Sequence, residues 1–396
     1  MSEWREIEFE QVLVDESISY GIVQPGMDTD RDSVPIIRVQ NIKNGVVDTS
    51  EIKKVDKSIE ENYKRTRLVG GELLITVVGS IGETAIVPET LSGWNVARAV
   101  SVARIKNEYD TSFIKYLFAT DDLKFQMYGS TNDTVQPTLN LKELKKLLIQ
   151  VPSIAEQREI VSVLKPLDDK IYLLNKQIKT IENIAETLYN AWFTETDFIN
   201  TIGDLIELQN GYAFKSKSFQ DSGEHRVLKI KNISGGIVDI ETSDFVNEET
   251  VSSIDEKFKI KTGDVLFAMT GAKIGKMGII PKTNSELWLN QRVGLFKEKY
   301  YGSRFLAYLH LKSDYGKDYI DNAATGSAQP NISGSGIENC DFPDISEEQI
   351  INYSSQLVPL YEKLIFNLGQ IQKLESLRDT LLPKLMSGEV RLETNG

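Results

Sequence analysis

The sequence predicts an α+β fold made by tandem duplication, each copy an α/β domain plus a long helix, with the two long helices pairing as an antiparallel coiled coil. Three observations predict it. The chain matches itself at an offset of about 192 residues, and a repeat on that scale governs how the whole fold is read. Each copy opens with short β-type runs and helical stretches, and each closes on a glycine-poor segment with a heptad rhythm.

The repeat is carried by five matches in one order. Ile36 to Asp48 (IIRVQNIKNGVVD) aligns with Val227 to Asp239 (VLKIKNISGGIVD), and Gly71 to Gly82 with Gly263 to Gly275. Gln136-Pro137 pairs with Gln329-Pro330, Pro166-Leu167 with Pro359-Leu360, and Ile178 to Leu188 with Ile371 to Leu381. The chain therefore divides into residues 1–155 and 199–345 as the two domains, with helix regions at 156–198 and 346–396. Within the domains, runs such as Glu72 to Val78 and Asp264 to Met269 are bounded by Gly, Asn and Asp turns and predict strands, while Ser112 to Phe125 and Ser303 to Tyr315 predict helices.

The seam of the first helix region reads Leu164, Leu167, Ile171, Leu174, Ile178, Ile181, Ala185, Leu188, Trp192, alternating threes and fours without a break. The second reads Leu357, Leu360, Leu364, Asn367, Ile371, Leu374, Arg378, Leu381, Leu385, with polar residues at two positions. A narrow seam wants another helix, and the simplest partner is the equivalent helix of the other copy. The competing reading is that each helix packs on its own domain. Asn367 and Arg378 then either face the opposite helix, where a polar seam residue sets register, or face a partner. Pro166 and Pro359 predict the points where the long helices begin. From Leu167 to Trp192 such a helix spans about 39 Å at ~1.5 Å per residue.

Composition narrows the function. The 396 residues are 40% hydrophobic and 26% charged, with a net charge of −13, and carry no apolar run of membrane-spanning length. One cysteine, Cys340, excludes an intrachain disulfide framework and fits a reducing, cytoplasmic setting, as does a start without a signal-peptide pattern. The only histidines, His225 and His310, read as surface or packing residues. No segment is basic overall, so nucleic-acid contact would need a sided arrangement or neutralisation by a partner.

Catalytic motifs are missing. Thr270 to Met277 (TGAKIGKM) superficially resembles a phosphate loop, but its first glycine is one position too close to Gly275-Lys276, and Met277 stands where Ser or Thr should hold Mg²⁺. A glycine-bearing turn between two strands is the better reading. Nothing matches a dinucleotide fingerprint, a zinc-protease helix, a nucleophile elbow or an adenine-methyltransferase loop.

Several segments carry a family resemblance. Asn210 to Ser216 (NGYAFKS), the Gly-Asp-Val-Leu run at 263, the loop Gly326 to Ile332, the proline-led long helices and the ending Leu385 to Arg391 together resemble the specificity (S, HsdS) subunit of type I restriction-modification systems. The resemblance implies two target-recognition domains that each read half of a bipartite DNA sequence, with the helices setting the unread gap. It also implies docking of methyltransferase (M) subunits, two of them, and of restriction (R) subunits through the complex. Catalysis then lies in those partners, which hold S-adenosylmethionine, ATP and Mg. No cofactor, metal or membrane is expected for this chain.

Base reading needs Arg or Lys for guanine, Asn or Gln for adenine, and adaptable hydroxyls, on loops held by a rigid body. In the first domain these residue types single out Arg38, Gln40, Lys43, Asn95 and Arg98, then Asn132, Thr134, Gln136 and Thr138. The second domain offers Lys229, Lys231 and Asn232, then Asn290, Gln291 and Arg292, then Thr325, Ser327 and Gln329. Arg98 with Arg292 and Gln136 with Gln329 coincide between copies. For helix pairing, the candidates are Leu167, Ile171, Leu174, Ile178, Ile181 and Leu188 against Leu360, Leu364, Ile371, Leu374 and Leu381. The acidic total keeps a rival open, a scaffold or DNA mimic that binds a DNA-modifying partner, although a mimic should show dense acidic runs and here acids and bases are interspersed.

Overall fold

Each domain is organised around a mostly antiparallel sheet whose central strand is the run that follows the Gly-Glu or Gly-Asp turn. The computed structural model describes residues 4–130, 137–194, 196–324 and 330–391. The chain forms two compact units. One comprises residues 1–169 with 376–396, the other residues 170–375. Each unit thus holds one domain together with a stretch of both long helices.

In the first unit, Leu73–Thr76 is flanked by Val100–Ile105 and Thr84–Ile86, and Leu13–Tyr20 extends the sheet beyond Val100–Ile105. In the second, Val265–Ala268 lies between Val293–Glu298 and Met277–Ile279, and Ile206–Asn210 takes the outer place. The copies also share a parallel pairing, Ser33–Ile37 with Asn95–Val96 and His225–Leu228 with Glu286–Leu289. These strands recur in both copies, as the duplication read from the sequence requires, and the second sheet adds Gly236–Val238 and Ile233–Ser234 beyond Met277–Ile279. Every residue of the central strands is buried, as a strand covered on both faces requires.

The helical stretches expected at 112–125 and 303–315 are each broken. The first is Thr111–Phe118 followed by Asp121–Gly129, and the second is Ser303–Lys312 followed by Asp314–Ala323. In both copies a hydroxyl caps the second helix. Thr120 accepts from the Leu123 amide and Ser313 from the Gly316 amide.

The long helices run Ile154–Trp192 and Glu347–Met386, 39 and 40 residues. Pro166 and Pro359 do not start them but sit at the thirteenth residue of each, in the fourth turn. A proline there removes one main-chain bond, a loss of ~3 kcal/mol that the flanking buried residues offset. Ile160, Val161 and Leu164 enter the core of the first domain, and Leu357, Tyr361 and Leu364 enter that of the second.

Pairing and packing on the domains both occur. In the second unit, Ile171, Leu174 and Ile371 form a buried cluster with Ile178 and Leu374 against it. Trp192 stacks on Tyr353 at 4.4 Å between ring centroids. Residue numbers fall along one helix as they rise along the other, so the pair is antiparallel. Ile181 and Leu360 pack against the core of the second domain and Leu364 lies within it, while Leu381 packs against that of the first. Leu167 and Leu188 are half-buried.

Both polar seam residues face the opposite helix. The Asn367 amide, fully buried, donates to Gln177 Oε1 at 3.2 Å. In the first unit Arg378 donates to Asp168 at 3.2 Å, and Asp168 also accepts from the Tyr116 hydroxyl at 2.8 Å and lies 3.5 Å from Lys115 Nζ. Burial, reinforced by the Asp168 charge, pushes the Tyr116 phenol well above its ordinary pKa. The second copy builds this junction differently. Tyr361, two residues past Pro359 as Asp168 is past Pro166, stacks on Phe305 at 4.2 Å and meets Tyr308 edge-on at 6.0 Å.

Candidate nucleic-acid interface

Main-chain bonds place Arg98 in the first domain, and Gln291 and Arg292 in the second, on one rim of the sheet. In the first domain Arg98 N donates to Ile22 O (2.9 Å), Val77 N to Ala99 O (2.9 Å), and Gly79 N to Pro137 O (3.2 Å). In the second, Gln291 N donates to Tyr212 O (2.9 Å), Met269 N to Arg292 O (3.2 Å), and Gly271 N to Pro330 O (2.9 Å). Each rim therefore joins four chain segments that are distant in sequence: the stretch holding Ile22 or Tyr212, the tip after the parallel strand, the end of the central strand, and the residue that closes the proline loop. A glycine permits the closest approach. A Cβ on Gly21 would stand 2.0 Å from Val96 O, and one on Gly211 would stand 2.3 Å from Asn290 O.

These bonds correct one pairing read from the sequence. Ala99, not Arg98, is the counterpart of Arg292, and Arg98 corresponds to Gln291. The two rims thus present different side chains at the same place. Arg98, Gln291 and Arg292 are all exposed, and among the described residues neither arginine has an ion-pair partner.

Other candidates take structural roles. Asn95 is fully buried and donates to Glu60 Oε1 (2.9 Å) and Tyr63 O (3.1 Å), which removes it from any surface. Asn232 is fully buried too, accepting from Lys229 N (2.8 Å) and donating to Thr242 Oγ1 (3.2 Å). The same turn recurs at Asn41, which accepts from Arg38 N at 3.0 Å. An amide that accepts from a main-chain N–H three residues back is closing a local turn. The repeated Asn at the same offset from the aligned strands was the signal for this.

Arg38 is half-buried, with a guanidinium nitrogen bonded to Glu51 O at 3.2 Å. Lys229 and Lys231 both reach Asp244 at 2.6 Å. Partial burial works against the Asp244 charge, but the two ammonium groups outweigh it and hold the carboxyl below its ordinary pKa. Lys229 also lies 3.7 Å from the Phe219 ring centre. Gln40 and Lys43 are exposed, Asn290 is half-buried at the bridge to Tyr212, and Thr138 is half-buried at the bridge to Val78. Asn132, Thr134, Gln136, Thr325, Ser327 and Gln329 lie outside the described residues.

The phosphate-loop look-alike is a turn between the antiparallel strands Val265–Ala268 and Met277–Ile279. Its Lys273 ammonium donates to Lys231 O (3.1 Å) and Ile233 O (3.4 Å). Among the described residues no cluster of His, Cys, Asp or Glu could hold a metal ion, and no helix is long and apolar enough to cross a membrane. His310 is buried, bonded to the Tyr189 hydroxyl at 2.6 Å, and burial depresses its pKa to about 4. His225 sits between Glu248 and Glu286.

A model of the type I restriction modification DNA specificity domain matches the chain twice, over residues 24–183 and 199–362. The chain belongs to that family. A type I restriction enzyme EcoBI specificity subunit from Escherichia coli is 34% identical over 178 residues, 43% of this chain and 37% of that protein. The MjaIX specificity subunit of Methanocaldococcus jannaschii is 27% identical over 353 residues, covering 82% of this chain and 78% of the relative. A crystal structure of a type I restriction-modification S subunit from M. genitalium shares the fold, with a TM-score of 0.62 at 15% identity over 96% of both chains. The specificity-domain matches coincide with the two copies, so the duplication and the family are the same observation at two levels.

Proposed function

We propose that this chain is the DNA-reading subunit of a type I restriction-modification assembly. Each domain reads one half of a bipartite target through its rim, the paired helices set the unread gap, and the helices dock methyltransferase subunits. The observation that carries this reading is the recurrence of one rim, built by the same main-chain bonds, with Arg98 on one copy and Gln291-Arg292 on the other. Phosphate contacts position a protein on DNA and base contacts specify the sequence. Two identical scaffolds with different tips suit two different half-sites. Catalysis, S-adenosylmethionine, ATP and Mg belong in this reading to the methyltransferase and restriction partners, and the assembly works in the cytoplasm.

Methylation mapping in cells tests it, using the full chain with its neighbouring methyltransferase. A split motif should appear that depends on the chain. Arg98→Ala should relax or abolish one half of it, and Gln291→Ala with Arg292→Ala the other, since a good base contact contributes about 1–3 kcal/mol of discrimination. A chain that binds the methyltransferase while conferring no split motif would instead support the scaffold or DNA-mimic reading.

A further inference from the structure

The hairpin turn beside each rim differs between the copies in length, anchoring and charge. Both turns contact the closing residue of the proline loop, Gly79 with Pro137 and Gly271 with Pro330, and a bridge follows from Val78 to Thr138 and from Thr270 to Asn331. The second turn is one residue longer, Gly271 to Gly275 against Gly79 to Gly82. The first turn is held internally, with Thr76 Oγ1 bonded to Ser80 O and accepting from Glu83 N. The second has Ala268 in place of Thr76, and Lys273 instead ties it across to the 231–233 segment.

Equivalent bonds place Lys276 where the first copy has Glu83. Ala268 N donates to Lys276 O at 2.8 Å, and Thr76 N to Glu83 O at 2.9 Å. Both side chains are exposed, and neither has an ion pair among the described residues. Arg292, bonded to Met269 two residues before the turn, likewise has no ion pair among the described residues. What sets Lys276 apart from the other unpaired lysines is its place at the end of the turn beside the rim, where its carbonyl accepts from Ala268 N next to the Met269–Arg292 bond. Lysine on a rigid turn acts as a point charge suited to a phosphate.

We infer that Lys276 is a DNA-phosphate contact of the second half-site, and that Glu83 denies the first half-site the same contact. The inference rests on the DNA-reading function proposed above. It makes the two halves of the target unequal: the second is gripped more through the backbone, and the first depends more on its base contacts.

The test uses the full chain assembled with its methyltransferase subunits and a duplex carrying the mapped split motif. Affinity is measured by fluorescence anisotropy between 50 and 200 mM KCl. Lys276→Gln should reduce the slope of log K against log salt by about 0.9, a loss of about 3.5-fold in the salt sensitivity over that range. Glu83→Lys should steepen the slope by a similar amount. The methylated motif should stay the same in both variants. A slope unchanged by Lys276→Gln, with the motif intact, overturns the inference while leaving the DNA-reading function standing. A motif changed in its second half makes Lys276 a base reader and also overturns it. Failure of the unaltered assembly to bind the motif defeats both the function and the inference.

Discussion

Replacing Asn367 with leucine should stabilise the helix pair and loosen its register. Asn367 is fully buried, and its one described bond is the 3.2 Å donation to Gln177. Its side-chain oxygen has no partner. Asn367→Leu gives up a hydrogen bond of about 1 kcal/mol, and Gln177, being exposed, recovers its partner from water. It removes a buried unpaired carbonyl that costs about 1–3 kcal/mol and adds apolar contact beside Leu364, Leu368 and Ile371. Strain from the added branch offsets part of this, leaving a net gain of about 1–2 kcal/mol. For a unit of about 200 residues that corresponds to a rise of roughly 3–6 °C in the second unit's calorimetric transition. Specificity should fall as stability rises. A one-heptad slip sets position 367 against Lys170 or Ile184 instead of Gln177, which the amide resists and leucine does not. The gap in the methylated motif should then broaden from one length to several. A lower transition temperature together with a single sharp gap would refute this account of Asn367.

Two further outcomes follow from other buried positions. Gly369→Ala puts a Cβ 2.7 Å from Lys282 O and 2.9 Å from Lys282 Cβ, contacts that require the 281–283 segment to move off the second long helix. It should cost about 1–3 kcal/mol, read as a lower transition temperature of the second unit with faster hydrogen exchange at 281–283. His310 should make the second unit sensitive to acid. Burial holds its pKa near 4 in the folded chain against about 6.5 unfolded, so below 6.5 the unfolded state takes up the proton first. Stability from this group is full above pH 6.5, declines by roughly 3 kcal/mol in total as pH falls to 4, and is flat below that. His310→Phe should remove that decline between pH 6.5 and 4, and an unaltered slope in the variant would assign it to other groups.

The features legible in the sequence were those that a backbone must repeat. The turn glycines, the proline of each loop and the heptad leucines recur because two copies of one fold need the same sharp turns and the same buried stripe. Helix starts were misplaced because a proline marks a local preference, and the cores around Leu164 and Tyr361 override it by tertiary burial. Residue type alone could not separate Asn95 and Asn232 from the exposed candidates. A surface amide and a buried turn-closing amide have the same letter, and only the acid or main-chain group folded against them decides. The Arg98 pairing slipped by one because it matched arginine to arginine at an offset of 194, whereas the offset is 193 from Gly82 and Gly275 onward, as the main-chain bonds of Ala99 and Arg292 show.

The two junctions between domain and helix pair, Asp168 with Tyr116 and Arg378 in one copy and Tyr361 with Phe305 and Tyr308 in the other, bear on how new specificities can arise. A second domain grafted onto the first position would set Tyr308 beside the Asp168 carboxylate, which the long helices keep paired with Arg378. A first domain grafted onto the second would lose Asp168 as the acceptor for its tyrosine hydroxyl, with Glu182 and Glu186 as the nearby acids instead. Each domain is therefore keyed to its own end of the chain. An exchange of domains is expected to cost least stability when its breakpoints spare the helix at 111–118 or 303–312, or carry the matching long-helix residues along. The internal repeat makes the two positions comparable, and the junction chemistry sets how well a domain fits each of them.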